Sequence, residues 1–360
     1  MCKNRAARNH RPGAWPNAWK HFFKDTMKAS STHPGNRIAI TWGDPSGIGP
    51  EVILLAFAHI SPTLRKRITV FGDPDHMAHL AIHLKLPMKV IDASYGRGGL
   101  DTMAVVKAAA FPFSHENMGK ISKSAGQAAM SALEEAITRT QRGEFAAMVT
   151  APISKEAVNR AGYRIAGHTE FLASRCGGVP VAMMLASRKL KVVVATTHVA
   201  VKDIPRLLKF EKLRDLILLV ARSVKQYGLS SPRIALCGLN PHASDGGLFG
   251  DEEARIITPA IRGARRAGVE ITGPHPADTM FTPRAREKYD VAIAMYHDQG
   301  LIPVKALSFG ETVNVTLGLP FLRVSVDHGT AFDIAGKNMA DERPMVHAIR
   351  TAARMLKGGF

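Results

Sequence analysis

Val291-Ala292-Ile293-Ala294-Met295-Tyr296-His297-Asp298-Gln299-Gly300 is the stretch that decides the fold. Its first five residues form an unbroken apolar run, the pattern of a short strand buried on both faces. A histidine and a carboxylate stand at the strand's exit, where they contribute little to packing. They are well placed for a ligand, because open α/β sheets bind ligands beyond the carboxyl ends of their strands. Lys305 follows eight residues after the histidine.

Two more histidines occupy similar junctions. His198 ends the run Lys191-Val-Val-Val-Ala-Thr-Thr-His198, and His242 closes Arg233-Ile-Ala-Leu-Cys-Gly-Leu-Asn-Pro-His242. None belongs to a local ligand pattern such as H-E-x-x-H, and a single histidine is more often a hydrogen-bonded structural residue. Three at strand exits in distant segments suggest a metal site assembled by folding. Three neutral imidazoles on Zn²⁺ or a similar ion leave a coordination position open, as catalysis requires. Asp298 is a candidate to orient an imidazole from behind.

Outward from this stretch the chain alternates strands and helices. Strands are expected at 37–42, 68–71, 90–91, 146–149, 181–186, 192–195, 234–237, 313–317 and 323–326. Helices are expected at 50–59, 123–142, 210–227, 252–267 and 345–356. The 123–142 segment shows apolar residues at helical spacing, including Ala129, Leu133, Ala136 and Ile137. This alternation predicts an α/β protein with a largely parallel sheet between helices.

Composition bounds the class. The 360 residues are 46% hydrophobic and 22% charged, values of a soluble globular chain of about two domains. No apolar run approaches the ~20 residues that span a bilayer. Cys2, Cys176 and Cys237 are too few and too scattered for a disulfide framework, which fits a reducing, cytoplasmic compartment. The net charge is +18. Residues 1–36 carry seven basic residues against Asp25, a local charge of +6, which leaves +12 for the rest. The basic residues are dispersed and lie in no RNA-binding or zinc-finger pattern, so anionic small molecules are expected as partners and nucleic acid is not. Residues 1–36 lack periodicity and a continuous apolar secretory core; they read as a disordered basic extension, with Met27 an alternative start.

Other segments carry chemistry. Gly43–Glu51 (GDPSGIGPE) joins the first strand to the first helix, but it has neither dinucleotide-fingerprint nor P-loop spacing. Gly167-His168-Thr169-Glu170 precedes an apolar run; Thr169 is expected to cap a helix whose free N–H groups, with His168, receive a phosphate. Asp278 and Thr279 stand in a Gly/Pro-rich loop after a strand, as candidates to touch substrate, while His275 reads as a surface loop residue. Lys305, Asn314 and Arg323 fall on or beside the late strands, where a buried charge is costly without an anionic partner. Arg323 can fork onto a carboxylate or phosphate, and the competing reading is an internal ion pair. Val326–Lys337 is a glycine-bracketed loop whose small residues let a nucleotide approach.

These segments, in this order, resemble the 4-hydroxythreonine-4-phosphate dehydrogenase family. The matching stretches are GDPSGIGPE, GHTEFLA, TTHV, GLNPHASDGG, GPHPADTMF, YHDQGLIPVK and NVTLGLPFLRVSVDHGTAFDIAGK, spread from about Arg37 to the C-terminus. The resemblance implies two α/β/α domains around a cleft, as in isocitrate and isopropylmalate dehydrogenases. It divides the chain into residues 37–150 with 305–360, carrying the nucleotide loop, and residues 151–304, carrying the metal ligands and a dimer interface. It implies a divalent metal (Zn, Mg, Mn or Co) on His198, His242 and His297, with one histidine contributed across a homodimer. Substrate binding falls to His168, Thr169, Lys305, Asn314 and Arg323. NAD or NADP falls beside His328, Gly329, Thr330, Ala331 and Asp333. Asp278, with Lys305 second, is the expected base.

The implied reaction oxidises a secondary alcohol of a 4-phosphorylated hydroxy acid to a β-keto acid that loses CO₂. Related branches act on D-threonate or D-erythronate 4-phosphate, and a more distant one on an aromatic cis-dihydrodiol dicarboxylate. The His168–Thr169 pair favours a phosphorylated substrate. A metal-dependent hydrolase and an inactive sugar-phosphate binding protein are the rivals from other classes.

Overall fold

The computed structural model describes residues 36–165 and 167–360. The expected disordered extension and the alternative start at Met27 lie outside the described residues, Asn36 apart.

The strands are β1 (Ile38–Thr41), β2 (Ile68–Gly72), β3 (Lys89–Asp92), β4 (Thr102–Lys107), β5 (Ala147–Thr150), β6 (Ala182–Ala186), β7 (Lys191–Val194), β8 (Ile234–Cys237), β9 (Ile271–His275), β10 (Val291–Ala294), β11 (Val313–Leu317) and β12 (Leu322–Ser325). The helices that matter here are α1 (Gly49–His59), α2 (Pro74–His83), α3 (Lys123–Gln141), α4 (His168–Arg175), α5 (Phe210–Gln226), α6 (Thr258–Arg266), α7 (Ala277–Met280), α8 (His297–Ser308) and α9 (Arg343–Met355). Among the described residues all 12 strands form one sheet, in the order β3-β4-β2-β1-β5-β12-β11-β6-β7-β10-β8-β9. Pairing is parallel from β3 to β12 and from β7 to β9; only the pairs β12–β11, β11–β6 and β6–β7 are antiparallel. The α/β expectation therefore holds.

The central strands β1, β5, β8, β10 and β12 are buried at every residue, which is why they read as unbroken apolar runs and not as alternating ones. Helix α3 starts where the Ser122 hydroxyl accepts the Ala125 amide at 3.0 Å, and it buries Ala129, Leu133, Ala136 and Ile137 against the sheet. Beneath the histidine-bearing exits lies a core of Val192, Val194, Ala235, Cys237, Ala292, Ala294 and Val304, joined by Leu301. Burial of each larger member contributes about 1.5–3 kcal/mol. Gly300 lets α8 sit on this core: a Cβ there would lie 2.9 Å from Val192 Cγ1 and 3.0 Å from Val194 Cγ1.

Two expectations change. The single helix over 252–267 is a π-helical turn, Glu253–Ile257, followed by α6. The wider turn accompanies the inward placement of the Glu253 carboxylate described below. Thr169 does not cap α4: Gly167 occupies the N-cap with extended backbone, so His168 and Thr169 open the first turn itself.

Candidate active site

Three strand exits carry the histidines. At the end of β10, His297 starts α8, and its Nδ1 lies 2.7 Å from Asp298 Oδ1. That contact fixes the ring and leaves Nε2 for a ligand; the carboxylate also sits in the first helical turn, where the helix dipole favours it. Beyond β7, His198 faces His297 with ring centroids 5.5 Å apart. The two rings line a cavity of about 210 Å³, together with Thr197, Val199, Val201, Ile204, Tyr296 and Asp298.

His242 is not part of this pair. It stands exposed on the loop after β8, its ring 6.2 Å from Phe249. Among the described residues of one chain, no group of three His, Cys, Asp or Glu side chains is placed to hold a metal ion. The backbone around His242 is strained: His242, Ala243, Ser244, Asp245 and Gly246 have φ of 52°, 55°, 78°, 46° and 70°. Four of these are not glycine, and each such residue costs on the order of 1 kcal/mol. The buried Glu253 carboxylate stabilises the loop by accepting the Leu239 and Asn240 amides, both at 2.8 Å, and Asn240 Nδ2 at 2.9 Å. The Ser244 hydroxyl donates to the Gly250 carbonyl. Helix α7, with Asp278 exposed on it, packs against this loop. His275, expected on a surface loop, ends β9, with its Nε2 2.8 Å from Thr272 Oγ1.

A second cluster gathers His168, Asn314 and Arg323. Arg323 is 2% exposed and donates to Thr316 Oγ1 at 3.0 Å and Thr150 Oγ1 at 2.7 Å. Among the described residues its Nε has no partner, nor have His168 Nε2 and Asn314 Oδ1, all three buried atoms. Burial lowers the guanidinium to about 10. Burial, and then the nearby Arg323 charge, push the His168 imidazole down to about 3. For Arg323 the internal ion pair is thus not what the fold provides; its partners are neutral hydroxyls, and its Nε donor remains unspent. Lys305 differs, because its Nζ lies 3.2 Å from Asp327 Oδ2.

The third element is the 328–337 loop. His328 Nδ1 lies 2.9 Å from the Gly329 carbonyl, and its Nε2 is buried without a partner among the described residues. Gly329 faces open space, Ala331 has φ of 41°, and Asp333 is exposed. The loop rests on the first turn of the fold. Ile48 N donates to Thr330 O at 2.9 Å, and the fully buried Glu51 accepts the Gly336 amide at 2.8 Å. The sequence reading missed Glu51, Glu253 and Gln299. All three satisfy backbone of remote segments, a role that leaves no local spacing; a polar residue inside an otherwise apolar helical start, as at Glu51, is the available signal.

The geometry combines a histidine pair at strand exits, a buried cationic cluster with unpartnered polar atoms, and a small-residue loop. The comparisons with known proteins identify the family. The family model described as "Pyridoxal phosphate biosynthetic protein PdxA" matches residues 64–352. A 4-hydroxythreonine-4-phosphate dehydrogenase of Desulfosudis oleivorans is 46% identical over 89% of this chain and 96% of its own length. A D-threonate 4-phosphate dehydrogenase of Cupriavidus necator is 41% identical over 88% and 96%. The crystal structure of 4-hydroxythreonine-4-phosphate dehydrogenase from Klebsiella pneumoniae is 38% identical, with a TM-score of 0.81 over 89% of this chain and 100% of that one. A terephthalate 1,2-cis-dihydrodiol dehydrogenase from Burkholderia xenovorans follows at 31% identity and a TM-score of 0.63, over 88% and 97%. The chain belongs to the PdxA family and is an oxidoreductase of that family's dehydrogenase type.

Proposed function

We propose that this chain oxidises the secondary alcohol of a 4-phosphorylated hydroxy acid of the 4-hydroxy-L-threonine 4-phosphate type, using NAD or NADP and a divalent cation, to a β-keto acid that decarboxylates. The observation that carries the reading is the buried Arg323, which meets two hydroxyls and has an unpartnered Nε beside the unpartnered His168 Nε2. Such a pocket calls for an anion, and the guanidinium fork matches a phosphate or carboxylate. In this reading His168 and the amides of the first turn of α4 share it. Remote binding of a phosphate orients the reacting carbon.

The donor set at His198 and His297 fits a divalent metal: two imidazoles, one already fixed by Asp298. The partner subunit's His242 is the third ligand in this reading. Its exposed loop, with Leu248 73% and Phe249 47% exposed, and Val199 and Val201 beside His198, also exposed, supply apolar surface for a homodimer that shares the site. A divalent cation held by these imidazoles would supply Lewis-acid chemistry that favours ionisation of the substrate hydroxyl, and a dinucleotide held beside the 328–337 loop would supply the hydride acceptor. Asp278 serves as the base, directly or through water, with Lys305 second; Lys305 exchanges Asp327 for substrate. Thr169 and Asn314 complete the substrate contacts. His328, Gly329, Thr330, Ala331 and Asp333 cradle the dinucleotide, where buried His328 Nε2 and the open face of Gly329 suit close approach.

The division into residues 37–150 with 305–360 and residues 151–304 is supported by the sheet. The first set contributes β3-β4-β2-β1-β5-β12-β11 and the second β6-β7-β10-β8-β9, two uninterrupted blocks. A cytoplasmic enzyme is proposed from the free, buried Cys176 and Cys237; among the described residues no helix is long and apolar enough to cross a membrane.

D-threonate or D-erythronate 4-phosphate is the second reading, favoured by the 41% identical relative. A panel of 4-phosphorylated hydroxy acids, their unphosphorylated forms and a cis-dihydrodiol dicarboxylate, each assayed for reduced nicotinamide with added Zn²⁺, Mg²⁺, Mn²⁺ or Co²⁺, tests both. Turnover of phosphorylated acids alone supports the proposal; turnover of the diol alone, or of a substrate with no dinucleotide present, contradicts it.

A further inference from the structure

A carboxyl group that this chemistry does not use is buried between the anion pocket and the 328–337 loop. Asp44, just after β1, is 0% exposed. Its Oδ1 accepts the Ser46 amide at 3.0 Å, while among the described residues Oδ2 has no hydrogen-bond partner; neither have the buried hydroxyls of Thr41 and Ser46. The turn it belongs to touches both neighbours. On one side Asp44 N donates to Pro152 O at 2.9 Å, just beyond Thr150, which stands in register with Thr41 and accepts from Arg323. On the other, Gly47 N donates to Asp44 O at 3.0 Å, and Ile48 N then holds Thr330 O at 2.9 Å. A Cβ on Gly47 would come within 2.8 Å of that same Thr330 oxygen, so the turn and the loop move together or clash.

Among the described residues no charged side chain offsets the burial. Burial raises the carboxyl to about 6, opposed only by the Ser46 and Ser154 amides. The ionisable groups on the surrounding elements are engaged elsewhere or exposed. Glu51 on α1 accepts the Gly336 amide, Arg323 on β12 serves Thr150 and Thr316, and His328 bonds Gly329. Lys155 and Glu156 after Ser154, and Glu116 and Lys120 in the segment whose Gly119 donates to Ser46 O, are exposed. An ionised carboxylate buried without a charged partner destabilises the fold, so its presence at this junction points to a role in binding.

We propose that Asp44 is a positioning residue for the dinucleotide: protonated, it keeps the Gly43–Gly49 turn packed on Thr330 and leaves the loop open to the anionic pyrophosphate, whereas ionised it sets a negative charge behind that loop and weakens binding. This rests on reading 328–337 as the nucleotide loop. Linkage then requires the converse, that dinucleotide binding drives proton uptake by Asp44.

Calorimetric titration of the full chain with NAD⁺ and NADP⁺, in buffers of differing ionisation enthalpy, tests this. The wild type is expected to take up protons near pH 6.5 and to lose several-fold in affinity between about pH 5.5 and 7.5, tenfold for each unit by which binding moves the carboxyl. Asp44→Asn, which keeps the shape of the protonated acid, is expected to bind tightly at both pH values with a flat profile. It is also expected to melt at or above the wild type at pH 7.5. A wild type with flat affinity and no proton uptake overturns the proposal even if the variant does not fold. So does an Asp44→Asn protein with the wild-type slope, or one that melts lower at pH 7.5 and binds unchanged, the mark of a purely structural turn. A wild type that binds neither dinucleotide overturns the loop reading itself and this inference with it.

Discussion

Gln299 and Gly238 are joined across two strand exits: Gln299 Nε2 donates to the Gly238 carbonyl at 2.7 Å, while its Oε1 accepts the Met295 amide at 2.6 Å. One side chain thus ties the His297 helix to the start of the loop that carries His242. A Cβ on Gly238 would lie 2.8 Å from Ala243 Cα, so the loop is held close as well as bonded.

Gln299→Ala leaves two part-buried backbone groups without their partners. A loss of about 1–3 kcal/mol in unfolding free energy is expected, together with weaker metal retention. Gln299→Glu keeps the acceptor and loses the donor, and is expected to fall between the two. Chemical denaturation alongside metal titration checks this; unchanged stability in Gln299→Ala would show that the bridge is incidental.

Asp298→Asn removes the carboxylate from His297 Nδ1 at a site that is largely exposed. Metal affinity is expected to fall by roughly 10- to 100-fold with little change in melting temperature. Competition against a chelator measures it, and an unaltered affinity would remove Asp298 from the account.

Arg323→Met replaces a buried cation that has only hydroxyl partners. Stability is expected to stay within about 1 kcal/mol or rise, since buried charges are often replaced by apolar groups without loss. Substrate KM is expected to rise on the order of 10- to 100-fold, the worth of charge-assisted hydrogen bonds of ~1.5–3 kcal/mol. Steady-state kinetics with the phosphorylated acid, alongside thermal melts, separates the two effects.

His168 gives a pH signature. Its folded-state value, about 3, lies below the 6.5 of a free imidazole, so the unfolded chain binds the proton first. The stability this contributes is complete above pH 6.5 and is lost as pH falls toward 3. Asp44 has the opposite sign, because its raised carboxyl contributes stability below pH 3.8 that is lost as pH rises through 6. His168→Gln is therefore expected to match the wild type near pH 8 and to lose less on acidification, in ligand-free thermal melts across the range. A parallel loss in both proteins would contradict the buried, neutral imidazole.

Much of this fold was legible because its strands are buried on both faces. β8 and β11 appear at their expected limits, and α3 within one residue, since unbroken apolar runs and a capped amphipathic helix are local signals. β4 and α2 were not read. β4 follows the Gly-rich 96–99 segment, and α2 carries His76, His79 and His83 in place of a clean apolar stripe. Of the candidate site, the strand-exit histidines and Arg323 were visible as polar residues interrupting apolar runs. Their anchors Glu51, Glu253 and Gln299 were not, because each satisfies backbone groups that only the tertiary fold brings near. Thr169 does not cap its helix because Gly167, two positions earlier, ends the extended segment.

The central claim is that His198 and His297 of one chain and the partner subunit's His242 form one metal site for dinucleotide-linked oxidation. His242→Ala and His297→Ala variants, each inactive alone, should be mixed through reversible dissociation and assayed for reduced nicotinamide with a divalent metal and the phosphorylated acid. A site shared between two copies predicts recovery of about a quarter of wild-type turnover, since half of randomly paired dimers carry one intact site of two. No recovery in a mixture shown to contain the mixed dimer would contradict the account.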